Sequence, residues 1–241
     1  MKKTEPYPEL AVSFLEGDTP DRFCTQYPET FYEKFTAPHP RIPDISAYQD
    51  GCSILVLPET YDEYWEGIAG YGTRRKVRKA ERNGYAFSEI DRDEHLDAIY
   101  DINTSLETRQ GKPMTDAYRQ PPKPYGKLPA YGCPKHSVRT YGVLHEGQLV
   151  AYTWIYQIGE MCLFSTILGH GDHLANGTMY LLIAGALNDL VTTAGTKYAM
   201  YNMHLSGTEG LRFFKEQMGF RPYWVTWQRR DEAVASNQPP V

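Results

Sequence analysis

Three apolar stretches, Thr140 to Leu144, Leu149 to Ile158 and Met161 to Leu168, follow one another with only short polar connectors, Glu146-Gly147-Gln148 and Gly159-Glu160. Connectors this short cannot carry a crossover, so the strands they join must run antiparallel. The middle of the chain is thereby committed to a three-strand meander, and the rest must pack around it. Downstream, Thr178 to Ala194 is apolar around most of a helical surface, which predicts a buried helix stopped by Gly195. Lys197 to Leu205 reads as a strand, Thr208 to Met218 as a helix ending at Gly219, and Phe220 to Gln228 as a last strand.

Upstream, Cys52 to Leu57 reads as a buried strand closed by Pro58. Thr60 with Glu63 has the spacing of a capping box, and Tyr61, Tyr64, Trp65 and Ile68 form an apolar helical stripe. A strand over Tyr85 to Ile90 and a helix over His95 to Thr108 follow. The class is α/β (α+β), a mixed and mostly antiparallel sheet flanked by helices. Residues 1–50 carry seven prolines and are expected to form an extended arm, residues 51–230 one domain, and residues 231–241 a disordered tail.

Charge narrows the function classes. A formal net charge of −5 excludes a general nucleic-acid binder, which needs a broad basic footprint. One local exception runs from Arg74 through Arg75, Lys76, Arg78 and Lys79 to Arg82, a helix whose like charges an anionic ligand or tRNA would relieve. The four cysteines, Cys24, Cys52, Cys133 and Cys162, lie far apart with no CxxC pair, so neither a zinc site nor a dithiol centre is expected. His170, Asp172 and His173 sit close together, but a loop fixes no ligand geometry, and no metal is expected there either. The absence of a long apolar run or a signal-like start leads to the expectation of a soluble, cytoplasmic chain without a membrane span. A homodimer is compatible with the sequence.

The order of elements resembles that of the GNAT acyltransferase superfamily over roughly residues 50–228. Phe213 to Phe220 (FFKEQMGF) is similar to the end of that family's fourth helix. Tyr71 to Tyr85 (YGTRRKVRKAERNGY) resembles the basic helix of the Fem-type branch, which includes peptidyltransferases and polysaccharide-locus acetyltransferases, and Asn176 to Leu187 (NGTMYLLIAGAL) resembles that branch's Pro-Gly-Thr helix start with Asn176 in place of proline. The resemblance implies a GNAT-like fold with an N-terminal extension, and acyl transfer from acyl-CoA to a small amine or amino-acid-like acceptor in a ternary complex. It leaves two alternatives, a Fem-type transferase drawing on aminoacyl-tRNA and a non-catalytic binding module. Two departures stand out. The Gln/Arg-x-x-Gly-x-Gly/Ala turn that seats the coenzyme A pyrophosphate is not spelled here, and Phe213 and Phe214 occupy the positions nearest the fourth-helix tyrosine acid.

In that family the thioester carbonyl sits where the fourth and fifth core strands splay, which the resemblance equates with Met161 to Leu168 and Lys197 to Leu205. Strand alternation would put Asn202 and His204 on one face, the amide as a hydrogen-bond donor and the imidazole as a base titrating near neutrality. Gly169, Gly171, Asn176, Gly177 and Thr178, at the start of the buried helix, would offer free backbone amides to an anion such as the coenzyme A pyrophosphate. The long Pro/Tyr-rich segment from Gly111 to Ser137 reads as a lid over the acceptor. Tyr118, Tyr125 and Tyr131 within it, with Tyr156 on the meander, are the candidate substrate contacts.

Overall fold

The computed structural model describes residues 6–14, 22–126, 133–193 and 195–229; Tyr131 and the expected tail lie outside them. In chain order the strands are β1 (Glu9–Phe14), β2 (Asp50–Val56), β3 (Tyr85–Glu89), β4 (Thr108–Arg109), β5 (Lys112–Pro113), β6 (His136–His145), β7 (Gln148–Ile158), β8 (Met161–Gly169), β9 (Tyr198–Met203) and β10 (Arg221–Arg229). The helices are α1 (Arg22–Thr36), α2 (Tyr61–Glu63, continued by a wider turn over Tyr64–Ile68), α3 (Tyr71–Arg82), α4 (Leu96–Thr104), α5 (Thr178–Val191) and α6 (Glu209–Gln217). Eight of the strands form one sheet in the order β1-β10-β2-β9-β8-β7-β6-β3, while β4 and β5 make a separate small hairpin.

The meander forms as its connectors require. His145 pairs with Gln148, and the two residues between them, Glu146 and Gly147, both take left-handed φ values of 52° and 80°. That is the geometry whose twist matches a hairpin, and glycine at the second position makes it cheap. Two pairings are parallel, β1 with β10 and β8 with β9; every other neighbour in the sheet is antiparallel. The largest core cluster joins the sheet to α5 and α3, with Leu182, Ile183, Ala186 and Leu187 fully covered, so the all-round apolar helix is buried. On the opposite face α4 packs Ile99 and Ile102 against Leu149 and Tyr152.

The N-terminal region departs from the extended arm expected for it. Residues 9–14 add a strand to the sheet edge, and residues 22–36 form a helix with Pro28 inside it. An interior proline costs a helix about 3 kcal/mol. Phe23, Phe31 and Phe35 fall at helical spacing, and Phe35, Phe14 and Trp227 stack into one buried aromatic group that offsets the cost. Counting prolines without weighing that stripe hides the helix.

Candidate functional site

The parallel pair β8 and β9 is hydrogen-bonded only over Met161 to Leu163 against Tyr198 to Met200. Beyond that point both strands give a local reason to part. In β8 the ladder to β7 slips at Ser165, an extra residue left unpaired, and a bulge of this kind bends its strand. In β9, Asn202 takes a left-handed φ of 53° and its side-chain oxygen accepts the Met203 N–H at 2.7 Å, which ends the strand. Asparagine tolerates this conformation better than other non-glycine residues.

The strands diverge around a cavity of about 620 Å³. Its walls come from both faces of the sheet. Met179 and Tyr180 of α5 and Phe214 of α6 close one side, while Leu106 and Gln110, beyond α4, close the other. Ser165, Tyr201 and Asn202 stand at the fork between them.

One full charge lines this cavity among the described residues, the guanidinium of Arg109. It donates to the carbonyls of Gly169 at 2.8 Å and Ile102 at 2.7 Å and to Ser105 Oγ at 3.1 Å, which pins the end of β8 to the end of α4. Burial pulls its pKa down, yet a guanidinium stays protonated, and it makes no ion pair with a described carboxylate. The cavity is therefore biased toward a ligand bearing negative charge. Burial also raises the Tyr201 phenol, which keeps it a neutral donor. The described lining holds neither a carboxylate nor an imidazole.

The structure separates the two residues that strand alternation would place together. Asn202 lines the cavity, whereas the left-handed turn at that residue sends His204 elsewhere. His204 is 5 % exposed, 3.5 Å from Ser53 Oγ through Nδ1 and 3.3 Å from Glu216 Oε1 through Nε2. Burial holds its pKa below the usual histidine value, with Glu216 opposing. Next to it, fully buried Lys215 donates to the Met203 carbonyl at 2.7 Å and to Ser206 Oγ at 3.3 Å, and burial pushes its pKa down to about 8. Together the imidazole and the ammonium hold the end of β9 onto α6.

The turn into α5 is likewise engaged with the protein. Gly169 lines the cavity, but the Gly171 N–H is donated to Ser105 Oγ at 3.0 Å. The Asn176 amide donates to Tyr85 Oη at 2.9 Å, and Thr178 is fully buried with its hydroxyl on the His173 carbonyl at 3.2 Å. Gly177, at φ 87°, lies so close to α3 that a Cβ would sit 2.5 Å from the Lys76 carbonyl oxygen. Its missing side chain serves helix packing. Of the expected cradle, the Gly171 amide, the Asn176 side chain and the Thr178 hydroxyl are thus taken up by protein atoms.

The candidate tyrosines do not gather at this cavity. Tyr125, exposed, covers the Arg92 guanidinium at 4.1 Å and borders a second, polar hollow of about 480 Å³ with Asp91, Arg139 and Trp154. Tyr156 packs beneath Tyr27 and Phe31 of α1. Tyr118 lies on a short turn over Asp116–Arg119 near Tyr152. On α3, Arg74 caps the preceding turn through the Trp65 and Ala69 carbonyls and Lys79 reaches the Ala175 carbonyl, whereas Arg75, Arg78 and Arg82 share one exposed face and form no ion pair among the described residues. Arg109, Ser165 and Tyr201 carry no sequence motif. Only the position of Tyr201 beside Asn202 hints at its place.

No protein-family model and no curated protein sequence matches the chain. Among solved structures it is similar to FemX, at 13% identity over 72% of this chain and 59% of that one, with a TM-score of 0.57. It also matches L-PGS from Bacillus licheniformis, at 16% identity over 78% and 63% of the two chains (TM-score 0.46), and a GCN5-related N-acetyltransferase from Kribbella flavida, at 11% identity over 72% and 54% (TM-score 0.42). The chain spans less than two thirds of each. The fold is GNAT-like, as the strand order and the forked parallel pair require.

Proposed function

We propose that this GNAT-fold chain is an acyltransferase that moves an acyl group from acyl-CoA to the amine of a small, anionic, amino-acid-like acceptor in the fork between β8 and β9. The observation that carries the reading is an opening with walls from both faces of the sheet. Two substrates can enter from opposite faces and meet at the bulge, so transfer proceeds in a ternary complex without a covalent enzyme intermediate.

The chemistry asks little more of the chain. The neutral amine attacks the thioester carbonyl, a C–N bond forms, the C–S bond breaks and the thiolate departs. Backbone groups of Ser165, left out of the β7 ladder, and the Arg109 charge favour the oxyanion as it develops. Because the described lining has no base, the amine proton passes to water. Lys79, held on the Ala175 carbonyl just before α5, and Arg75 and Arg78, exposed on the same helix, offer side-chain charge to the phosphates of the donor in place of the engaged groups of the turn.

Thiol release from acetyl-CoA in the presence of a panel of amino acids and polyamines tests the proposal. Acceptor-dependent release with preference for carboxylated amines is expected; no release with any acyl-CoA overturns it. A second reading has its own support. The exposed row of Arg75, Arg78 and Arg82 at i, i+3 and i+7 also suits the phosphates of aminoacyl-tRNA, and three such contacts would give a log–log salt slope of roughly −3. Acyl transfer from charged tRNA, lost on charge reversal of Arg75 and Arg78, would move the donor to that class.

A further inference from the structure

Two of the four cysteines, far apart in sequence, meet in the fold. Cys24 in the first turn of α1 and Cys133, just before β6, come together with His136, the first residue of that strand, and their ligand atoms all lie within 4.8 Å of one another. Their exposures are 2 %, 4 % and 0 %. We propose that these three side chains form a binding site for a thiophilic divalent cation, zinc by its chemistry, that fastens α1 to the sheet.

Geometry, charge and support agree on this assignment. Around a tetrahedral zinc, bond lengths of about 2.3 Å to sulfur and 2.0 Å to nitrogen place ligand atoms about 3.5–3.8 Å apart, a small contraction from the arrangement seen. On binding, each thiol gives its proton to solvent, so two thiolates and a neutral imidazole balance the divalent charge. A neutral cluster suits full burial far better than a lone ion.

Cys133 and His136 are three residues apart, and the β7 end grips the segment between them. Gln157 donates to the Pro134 carbonyl at 2.9 Å and accepts from Ser137 Oγ at 3.0 Å, and Gly159 N–H donates to the Lys135 carbonyl at 3.0 Å. The Phe23 ring meets the His136 ring edge-on at 6.3 Å. His136 pairs with Ile158, whereas the fork borders the far end of β8 near Gly169, so the site is separate from the acyl-transfer cleft. This assignment replaces the expectation of no metal drawn from cysteine spacing.

The test uses the full chain, reduced and stripped of metal, titrated with Co(II) and then Zn(II). One equivalent of Co(II) should give a thiolate-to-metal charge-transfer band that Zn(II) abolishes. Cys24→Ser, Cys133→Ser and His136→Ala should each lose stoichiometric binding, Gln157→Ala should weaken it about tenfold, and Cys162→Ser, a buried cysteine elsewhere, should bind as the parent does. If the ligand variants do not fold, the parent decides: zinc should raise its melting temperature and a chelator should reverse the rise. No charge-transfer band, binding unchanged by Cys24→Ser, or a Cys24–Cys133 disulfide in a chain that takes up no metal after reduction would overturn the proposal.

Discussion

The turn into α5 and the fork between β8 and β9 are neighbours that share Gly169, yet they are built in opposite ways. The turn is rich in glycine and small polar residues, and three features that resemble a ligand seat are used internally: Gly177 against the Lys76 carbonyl, the Gly171 N–H on Ser105, Thr178 buried. The fork is apolar and aromatic and nevertheless stays open. A glycine-bearing turn before a helix marks close packing as readily as it marks a phosphate, whereas an opening between strands is made by a bulge and one left-handed residue.

The sharpest way to break this contrast is Gly177→Val. A β-branched residue at φ 87° with its Cβ 2.5 Å from a backbone oxygen should cost about 3 kcal/mol of stability, read by denaturant unfolding. If the variant is as stable as the parent and loses only donor binding, the turn is a ligand seat after all. Ile167→Trp makes the converse claim. It fills the fork and should lower kcat/KM by about 100-fold with a smaller loss of stability than Gly177→Val, because Ile167 is only half-buried at the edge of the main core.

Arg109 belongs to both regions, since it faces the cavity and clamps Gly169 to α4. Arg109→Gln should therefore lose about 2 kcal/mol of stability and about tenfold in kcat/KM, with the larger part in KM for a carboxylated acceptor.

The meander, the buried helix and the basic helix were legible because period and connector length report on backbone pairing directly. The fork was legible only through family resemblance, since neither the Ser165 slip nor the Asn202 turn follows from the hydrophobic pattern. Alternation continued through Asn202 is what put His204 on the wrong side; one left-handed residue breaks it. Residues 22–36 were obscured by Pro28, and the Cys24, Cys133 and His136 cluster by chain distance, because only tertiary packing brings α1 to the start of β6.

Smaller effects sharpen the same division. His204→Gln should leave kcat nearly unchanged, since the residue does not line the fork, and should alter the pH dependence of stability instead. Burial keeps the folded imidazole from taking a proton that the unfolded chain accepts below about pH 6.5. The stability linked to His204 is therefore full above that pH and is lost as pH falls toward the depressed folded pKa. His173, also depressed, shares the window, so the variant should reduce the slope there without abolishing it. A large fall in kcat would make His204 catalytic. Asn202→Gly, which keeps the left-handed turn but removes the amide, should change kcat/KM only a few-fold.

The measurement that bears most directly on acyl transfer in the fork is calorimetric titration of coenzyme A into the parent chain and into Ile167→Trp, side by side. The account predicts one site per chain in the parent and its loss in Ile167→Trp. No binding to the parent, or undiminished binding to the filled variant, would contradict it.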